Sequence, residues 1–261
     1  QMKGDLAIGG GALGGTTNLT FTGSGNGTYS NIASVDCYGV SGFGIAPSIV
    51  VDKTGGAVSA ASGTTTLTTR KFTMTQGTFN APTGNLTLTP LTSGDTPLVV
   101  SGGTFNHSNG TVLLSGDHTC CVAPTYNISL DAAFTPYNFQ VYAPNYGSCT
   151  DTWSISGASS KISVAGQFTH GRGAGCSQVV NGGTIEASGD VSIISGANGG
   201  TAALSLVGSG TQTINYSAGT PLRGNWTIDK TAGSVVLGSN LTLSGTNQRV
   251  VMTRGKLDLG A

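Results

Sequence analysis

The sequence predicts an all-β protein that folds as one parallel β-solenoid, with coils of about 26 residues and a cysteine-bearing loop insert. Three features support this prediction. The chain resembles itself over long distances, its apolar residues alternate with hydroxyl residues in short runs, and a glycine corner recurs at multiples of one coil length. Repetition at this scale is typical of an elongated solenoid rather than of a globule with a single pocket.

The internal repeats define the domain organisation. Residues 4–8 (GDLAI) return at 189–193 (GDVSI), and residues 51–58 (VDKTGGAV) return at 228–235 (IDKTAGSV), with offsets of 185 and 177. We assign the difference of eight residues to an extra piece near 37–44 in the first copy. A degraded middle copy repeats at offsets of 87 to 89. We therefore predict a single domain over 1–261, with repeat copies at about 4–84, 110–182 and 189–261, an extra coil at about 85–101, and an atypical insert at about 117–153.

The coil length comes from a corner in which Gly-Thr precedes an apolar residue. This corner occurs at Gly77, at Gly103 and at Gly183, so the spacings are 26 and 80 residues, the second about three times the first. We expect three coils per copy and about ten coils in all, which would make a rod roughly 50 Å long at about 4.8 Å per coil.

The strands are short runs of alternating polarity. Residues 18–22, 85–89 and 240–244 each alternate an apolar residue with a hydroxyl residue, as in a half-buried strand. Glycine and asparagine separate the runs and supply the positive φ angles of tight corners. A β-sandwich also has short strands at regular spacing, but it does not explain a 26-residue period. The residues expected to point inward are Leu19, Phe21, Leu86, Leu88, Leu241 and Leu243.

Composition excludes several classes of partner. Charged residues make up 8% of the chain, 11 basic residues balance 11 acidic ones, and 43 residues are glycine. A neutral chain lacks the clustered lysine and arginine that nucleic acids and acidic membranes require. No apolar run approaches the roughly 20 residues of a membrane span. The chain begins and ends inside repeat copies, so we expect it to be a piece of something longer.

The cysteines lie in segments that depart from the repeat. Cys120, Cys121, Cys149 and Cys176 are our disulfide candidates, and Cys149 and Cys176 are expected to bond with each other or with the other two. Cys37 is distant in sequence and is the candidate unpaired thiol. Disulfides that brace loops indicate an oxidising compartment. The competing interpretation is unpaired, partly buried thiols.

The sequence offers little chemistry, and we predict no enzyme, no cofactor and no metal site. Glycoside hydrolysis needs two carboxylates about 5–10 Å apart, and the chain has one glutamate, Glu186. Asp52 and Asp229 occupy equivalent repeat positions beside Lys53 and Lys230, which favours a structural corner over a catalytic pair.

The histidines are equally uninformative. His118 lies near Cys120 and Cys121, which is more typical of a polar loop beside a disulfide than of a Cys–His site. His170 is expected in an exposed glycine-rich loop.

Aromatic residues are the better sign of binding. Seven of them fall within 28 positions of the middle insert, and five are candidates for glycan contact because aromatic faces stack on sugars. The alternative is a satellite core beneath the loop. The five candidates are Tyr126, Tyr137, Tyr142, Tyr146 and Trp153.

The repeat copies resemble those of very large secreted bacterial surface proteins. The carrying segments are 225–237 (NWTIDKTAGSVVL), 240–243 (NLTL) and 255–259 (GKLDL), which look like repeats of filamentous-adhesin-like or autotransporter-passenger-like β-helices. The cysteine-bearing segments hardly share the resemblance. It implies a non-enzymatic, extracellular structural or adhesive protein of the cell surface, such as a stalk or a filament subunit.

The expected partners follow from this resemblance and from the chain ends. They are copies of the chain stacked end to end, flanking repeats of a longer chain, or surface glycans. The main alternative function is a carbohydrate-binding or polysaccharide-degrading β-helix module. A weaker one is an ice- or crystal-binding face built from outward threonine rows such as 64–69.

Overall fold

The structure of the protein is a computed structural model, and it describes residues 1–9, 12, 15–31, 33–35, 41–116, 123–142, 149–171 and 176–260. Within these ranges the regular elements are all strands. No helix in the described ranges is long and apolar enough to cross a membrane. The strands are β1 Leu6–Ile8, β2 Asn18–Thr22, β3 Gly27–Asn31, β4 Ala33–Val35, β5 Ser41–Phe43, β6 Ile45–Ala46, β7 Ser48–Ala60, β8 Leu67–Thr69, β9 Phe72–Asn80, β10 Asn85–Leu88, β11 Leu98–Val100, β12 Thr104–Asn106, β13 Thr111–Ser115, β14 Thr125–Leu130, β15 Asn138–Tyr142, β16 Thr150–Ser156, β17 Lys161–Val164, β18 Phe168–His170, β19 Ser177–Asn181, β20 Thr184–Ala187, β21 Val191–Ile193, β22 Ala203–Gly208, β23 Gln212–Tyr216, β24 Trp226–Leu237 and β25 Val250–Asp258.

These strands stack in parallel on three faces around one axis, which confirms the predicted solenoid. Face I contains β2, the first half of β7, the first half of β9, β11, β14, β16 and β19. Face II contains β1, β3, the second halves of β7 and β9, β12, then β17, β20, β22 and the first halves of β24 and β25. Face III contains β6, β8, β10, β13, β15, β18, β21, β23 and the second halves of β24 and β25.

The coils are slightly shorter and less regular than predicted. There are about 9 of them, and they follow one another at about 24 residues rather than 26. The glycine corners at Gly77 and Gly103 do predict one coil correctly, because Thr104 lies directly beside Thr78 in the next coil. The middle copy contains more coils than expected over the same number of residues: Ile162 and Val250, which match in the middle and last copies, are separated by four coils and not by three.

One continuous apolar core fills the space between the three faces. Phe21, Leu86 and Leu88 are buried as predicted. Leu19, Leu241 and Leu243 are half-buried, the last two because they belong to the terminal coil, which has no further coil stacked on it among the described residues. Core aromatic rings stack from coil to coil, as between Phe79 and Phe105, whose centroids lie 6.0 Å apart.

The first repeat copy, at about 4–84, and the last, at about 189–261, lie on different faces. We call them the first and second long copies. Phe21 is on face I, whereas its equivalent in the second long copy, Leu206, is on face II. Val58 is on face II, whereas its equivalent in the second long copy, Val235, is on face III. The second long copy is therefore rotated about the axis by one face, a third of a turn, relative to the first.

Two segments depart from a simple parallel coil. The extra piece of the first copy includes β4 and β5, which pair with each other in antiparallel orientation between faces II and III. The segment predicted as an atypical insert contains two ordinary strands, β14 and β15, which pair in register with the coils before and after them. Residues 117–122 and 143–148 of that segment lie outside the described ranges.

Candidate functional site

The corner between face III and face I carries connections of very different lengths. Two residues, Arg70 and Lys71, join β8 to β9 there, whereas residues 89–97 join β10 to β11. Later connections at the same corner, from β13 to β14, from β15 to β16 and from β18 to β19, are also longer than two residues. Because a short connection next to a longer one leaves a notch, the edge of the rod is uneven at this point.

The notch is a groove of about 270 Å³. Arg70 and Lys71 lie on one side of it, and Leu91, Thr92 and Asp95 of the longer connection lie on the other. Further hydroxyl groups from Thr16, Ser48 and Thr96 line the same space. The groove is therefore lined by charged and hydroxyl-bearing residues, but more of its wall surface is apolar than polar, and Leu91 is an exposed apolar side chain on its wall.

The charged groups of the groove differ in how firmly they are held. The Arg70 Nη1 atom donates to the Thr89 carbonyl at 3.1 Å, which fixes the guanidinium against the wall. The Asp95 carboxylate accepts from the backbone N–H groups of Leu91 and Thr92, both at 2.9 Å, and from the Thr92 hydroxyl at 3.0 Å. Within the described structure the Lys71 ammonium makes no hydrogen bond and no ion pair.

A disulfide lies farther along the same corner. Cys149 and Cys176 are bonded, with Cα atoms 4.6 Å apart and a sequence separation of 27. Each precedes the first strand of a new coil, β16 and β19, and these strands pair with each other. The bond therefore ties two consecutive coils together, and it is one of the pairings that the sequence left open. Cys37, Cys120 and Cys121 lie outside the described residues.

Next to the disulfide lies a buried polar group that the sequence did not predict. His170, expected in an exposed loop, is fully buried, and its Nε2 donates to the Gln178 carbonyl at 2.9 Å. Burial lowers the pKa of His170 to about 4, because desolvation outweighs the hydrogen bond to Gln178, which acts in the opposite direction. The Gln178 side chain is also fully buried and donates to the Cys176 carbonyl. His170 is therefore neutral and forms part of the core at neutral pH.

The repeated Asp-Lys pairs prove to be corners. Lys53 and Lys230 are almost fully buried, and their ammonium groups donate to carbonyls of the preceding coil, Thr22 at 3.3 Å and Val207 at 3.0 Å. Lys230 also donates to the buried Gln212 Oε1 at 2.6 Å. Desolvation lowers the pKa of Lys230.

The carboxylates of these pairs point outward and do not converge. Asp52 accepts from Thr75 and Gln76, and Asp229 pairs with Arg254, whose hydrogen bond lowers the pKa of Asp229. Glu186 accepts from Lys161 at 3.1 Å and from Ser163 at 3.0 Å. Among the described residues, no group of three or more His, Cys, Asp or Glu side chains could hold a metal ion.

The structure divides the aromatic candidates. Tyr126 and Trp153 are fully buried, with ring centroids 4.7 Å apart, so the prediction that they contact glycans is wrong: they belong to the core of face I. Tyr137 is 37% exposed and lies 5.2 Å from the His107 ring. Tyr142 is half-buried, and Tyr146 lies outside the described residues.

Comparison of the chain with protein families, with curated proteins and with solved structures finds no match. Sequence analysis missed the groove, although one signal was present: Arg70 and Lys71 are the only two adjacent basic residues in a chain that has 11.

Proposed function

We propose that this chain is a rigid, non-enzymatic rod of an extracellular structural or adhesive protein at a cell surface. The observation that carries the proposal is the in-register parallel stacking of about 9 coils around one core. Such a stack extends by about 4.8 Å per coil, so the described coils make a rod roughly 45 Å long. An elongated, stiff body suits a stalk or a filament.

The location outside the cell rests on a second observation. The Cys149–Cys176 disulfide joins adjacent coils, and structural disulfides persist in oxidising compartments. The outward faces also carry hydroxyl and amide side chains rather than charges, for example the ladder in which Asn106 donates to Asn80 and Asn80 donates to Ser59.

The proposal includes a neighbour at the end of the rod formed by β25. This strand pairs with β24 on one edge, and in the described chain no strand pairs with its other edge. Val250, Val251 and Met252 are 42% to 47% exposed, beside an apolar cavity of about 190 Å³. Another coil of the same repeat type, from a second copy or from flanking repeats, would pair with this edge and cover the apolar surface.

Two experiments test the rod and its location outside the cell. Small-angle X-ray scattering should give an elongated particle with a constant cross-section, and an antibody against the rod should label intact cells of the source organism. A globular scattering profile, or labelling that appears only after cells are permeabilised, would contradict it.

For the end contact, Met252→Glu should abolish concentration-dependent self-association in sedimentation, and an unmodified chain that stays monomeric at high concentration would remove self-stacking.

Carbohydrate binding is the second candidate function, and it is supported by the groove with charged and hydroxyl-bearing residues at the corner between faces III and I. It is compatible with the rod, because an adhesive rod needs a place for its ligand.

A further inference from the structure

We propose that the groove between the Arg70–Lys71 corner and the 89–97 connection binds an anionic saccharide, a sugar unit that carries a carboxylate or a sulfate. This inference names a class of ligand for the proposed adhesive role. It rests on that proposal only for the location, outside the cell, where the ligand would be encountered. It rests on the shape of the groove, on its charges and on the lining of its walls.

The shape is built into the fold. Because two residues close the corner of one coil and nine residues close that of the next, the longer connection overhangs the shorter one. The overhang is held by the Asp95 carboxylate, which ties Leu91 and Thr92 into a turn. A second set of bonds anchors the same connection to the following coil: Asn127 N–H donates to the Asp95 carbonyl at 2.8 Å, and Gly94 N–H donates to the Thr125 carbonyl at 2.7 Å. The groove is thus formed before any ligand arrives, which reduces the ordering cost of binding.

The charges favour an anion. Arg70 and Lys71 bring two positive charges to the groove and Asp95 brings one negative charge, in a protein where 8% of residues are charged. Asp95 already accepts from three donors of its own connection, whereas the Lys71 ammonium has no partner within the described structure. An anionic group beside Lys71 would gain a charge-assisted hydrogen bond from its ammonium, and the nearby charge of Arg70 would add attraction.

The walls favour a sugar over an acidic peptide. A peptide commonly binds by adding a strand to a free sheet edge or by inserting apolar side chains into pockets. The strands that flank the groove, β7 to β11, are paired with neighbouring coils on both sides. The lining combines hydroxyl-bearing residues, Thr16, Ser48, Thr92 and Thr96, with an apolar surface that is the larger part of the wall and includes Leu91 and Pro97. Such a mixture suits both the hydroxyl groups and the C–H faces of a sugar ring. Hydroxyl groups pair with sugar hydroxyls, and a volume below the roughly 300–1,000 Å³ of drug-sized pockets suits a short stretch of saccharide.

Isothermal titration calorimetry on the whole chain tests the proposal. The probes are an oligogalacturonate, which carries carboxylates, a heparin-derived oligosaccharide, which carries sulfates, a neutral maltooligosaccharide, and a short polyglutamate peptide. We expect at least one of the two anionic saccharides to bind, with affinity that falls as salt is raised, and the neutral sugar and the peptide to bind much more weakly. The better of the two anionic probes identifies the group that is recognised.

Matched variants locate the site. Lys71→Ala should weaken binding about tenfold, the order expected for loss of one charge-assisted hydrogen bond, and Lys71→Arg should retain most of it. Lys256→Ala removes an exposed lysine on β25, remote from the groove, and should leave the affinity unchanged. Circular dichroism and thermal unfolding verify that each variant is folded.

The proposal is overturned if neither anionic saccharide binds, if polyglutamate binds as tightly as the better saccharide, or if Lys71→Ala has no larger effect than Lys256→Ala. These failures are distinguishable from failure of the rod itself: an elongated scattering profile without saccharide affinity removes the site and leaves the structural role.

Discussion

The two Asp-Lys-Thr segments have nearly the same sequence and lie at different corners of the solenoid. The first, at 52–54, turns the chain from face I to face II within β7, and the second, at 229–231, turns it from face II to face III within β24. In both, the aspartate points outward and the lysine is buried against a carbonyl of the preceding coil. The repeated unit of this protein is therefore a strand, a corner and a strand, rather than a whole coil.

The third corner, between faces III and I, shows the contrast. The described connections there contain no buried lysine, and the coils are held by the Cys149–Cys176 bond and by the buried His170–Gln178 pair instead. This difference teaches that the Asp-Lys-Thr motif makes a compact turn at two corners, whereas the third corner lacks the motif and varies in length from coil to coil. The groove and the disulfide both lie at this variable corner.

The largest effect is expected from breaking the disulfide at the variable corner. Cys149→Ser should lower the free energy of unfolding by about 3.5 kcal/mol, because the bond closes a loop of 27 residues and cross-links of that span restrict the unfolded chain by about this amount. Denaturant titration measures the loss. Addition of reductant to the unmodified protein should reproduce it, and an unchanged midpoint in both cases would show that this corner is held by other contacts.

The next effect concerns the glycine that stacks on a corner lysine. Gly77→Ala should lower the free energy of unfolding by about 3 kcal/mol, because Gly77 has φ +87° and a Cβ there would lie 2.7 Å from the Lys53 Cβ. Gly63→Ala is the matched control, since Gly63 has φ +80° but no atom within 4 Å of the added Cβ, and should cost only about 1 kcal/mol. Equal losses in the two variants would mean that close packing on the lysine is unimportant.

The two buried corner lysines, Lys230 and Lys53, should differ in how much each contributes to the free energy of unfolding. Lys230→Met should lower the free energy of unfolding by about 2.5 kcal/mol, because it removes the donor of two acceptors, the part-buried Val207 carbonyl and the buried Gln212 Oε1. Lys53→Met should cost about 1 kcal/mol, since Lys53 donates one longer bond, to the Thr22 carbonyl. Chemical denaturation of both variants decides the order, and a larger loss for Lys53→Met would reverse our ranking of the two corners.

The smallest effect depends on pH at the variable corner. The pKa of His170 falls from its ordinary value of 6.5 to about 4 on folding, so the unfolded chain binds more protons between these values and stability decreases as pH falls. The loss between pH 7 and pH 5 should be about 2 kcal/mol. The lowered pKa values of Asp5 and Asp229 act below 3.8 and leave this window unaffected.

Unfolding at the two pH values should show the loss in the unmodified chain and in His107→Gln, which removes a partly exposed histidine. It should be much smaller in His170→Asn. The same loss in His170→Asn would assign the pH dependence to another group.

The sequence predicts the solenoid well because its signals are local. Alternation at 85–88 and the glycine corners at Gly77 and Gly103 specify strands and turns wherever they lie. It does not predict which face a segment occupies, because that depends on the summed length of all preceding coils. Coil length varies widely: the coil from Leu67 to its partner Leu86 is short, whereas the coil from Gly27 to its partner Val58 is long.

The site is less predictable than the fold for a related reason. Tyr126 and Trp153 lie in a segment that departs from the repeat, and the sequence alone does not show that they keep the inward register of a regular strand. His170 precedes a glycine-rich stretch, yet it is the last inward residue of β18. The groove arises from a difference in length between two neighbouring corners, which only the stacking of the coils brings together.

Engineered cysteine pairs test the central claim, that the second long copy is rotated by one face relative to the first. Glu186 and Ser205 are neighbours on face II, so the pair Glu186→Cys with Ser205→Cys should form a cross-link on oxidation, seen by peptide mapping. If the two copies shared faces instead, residue 205 would lie on face I beside β19. A cross-link in Asn181→Cys with Ser205→Cys, together with none in the first pair, would contradict the account.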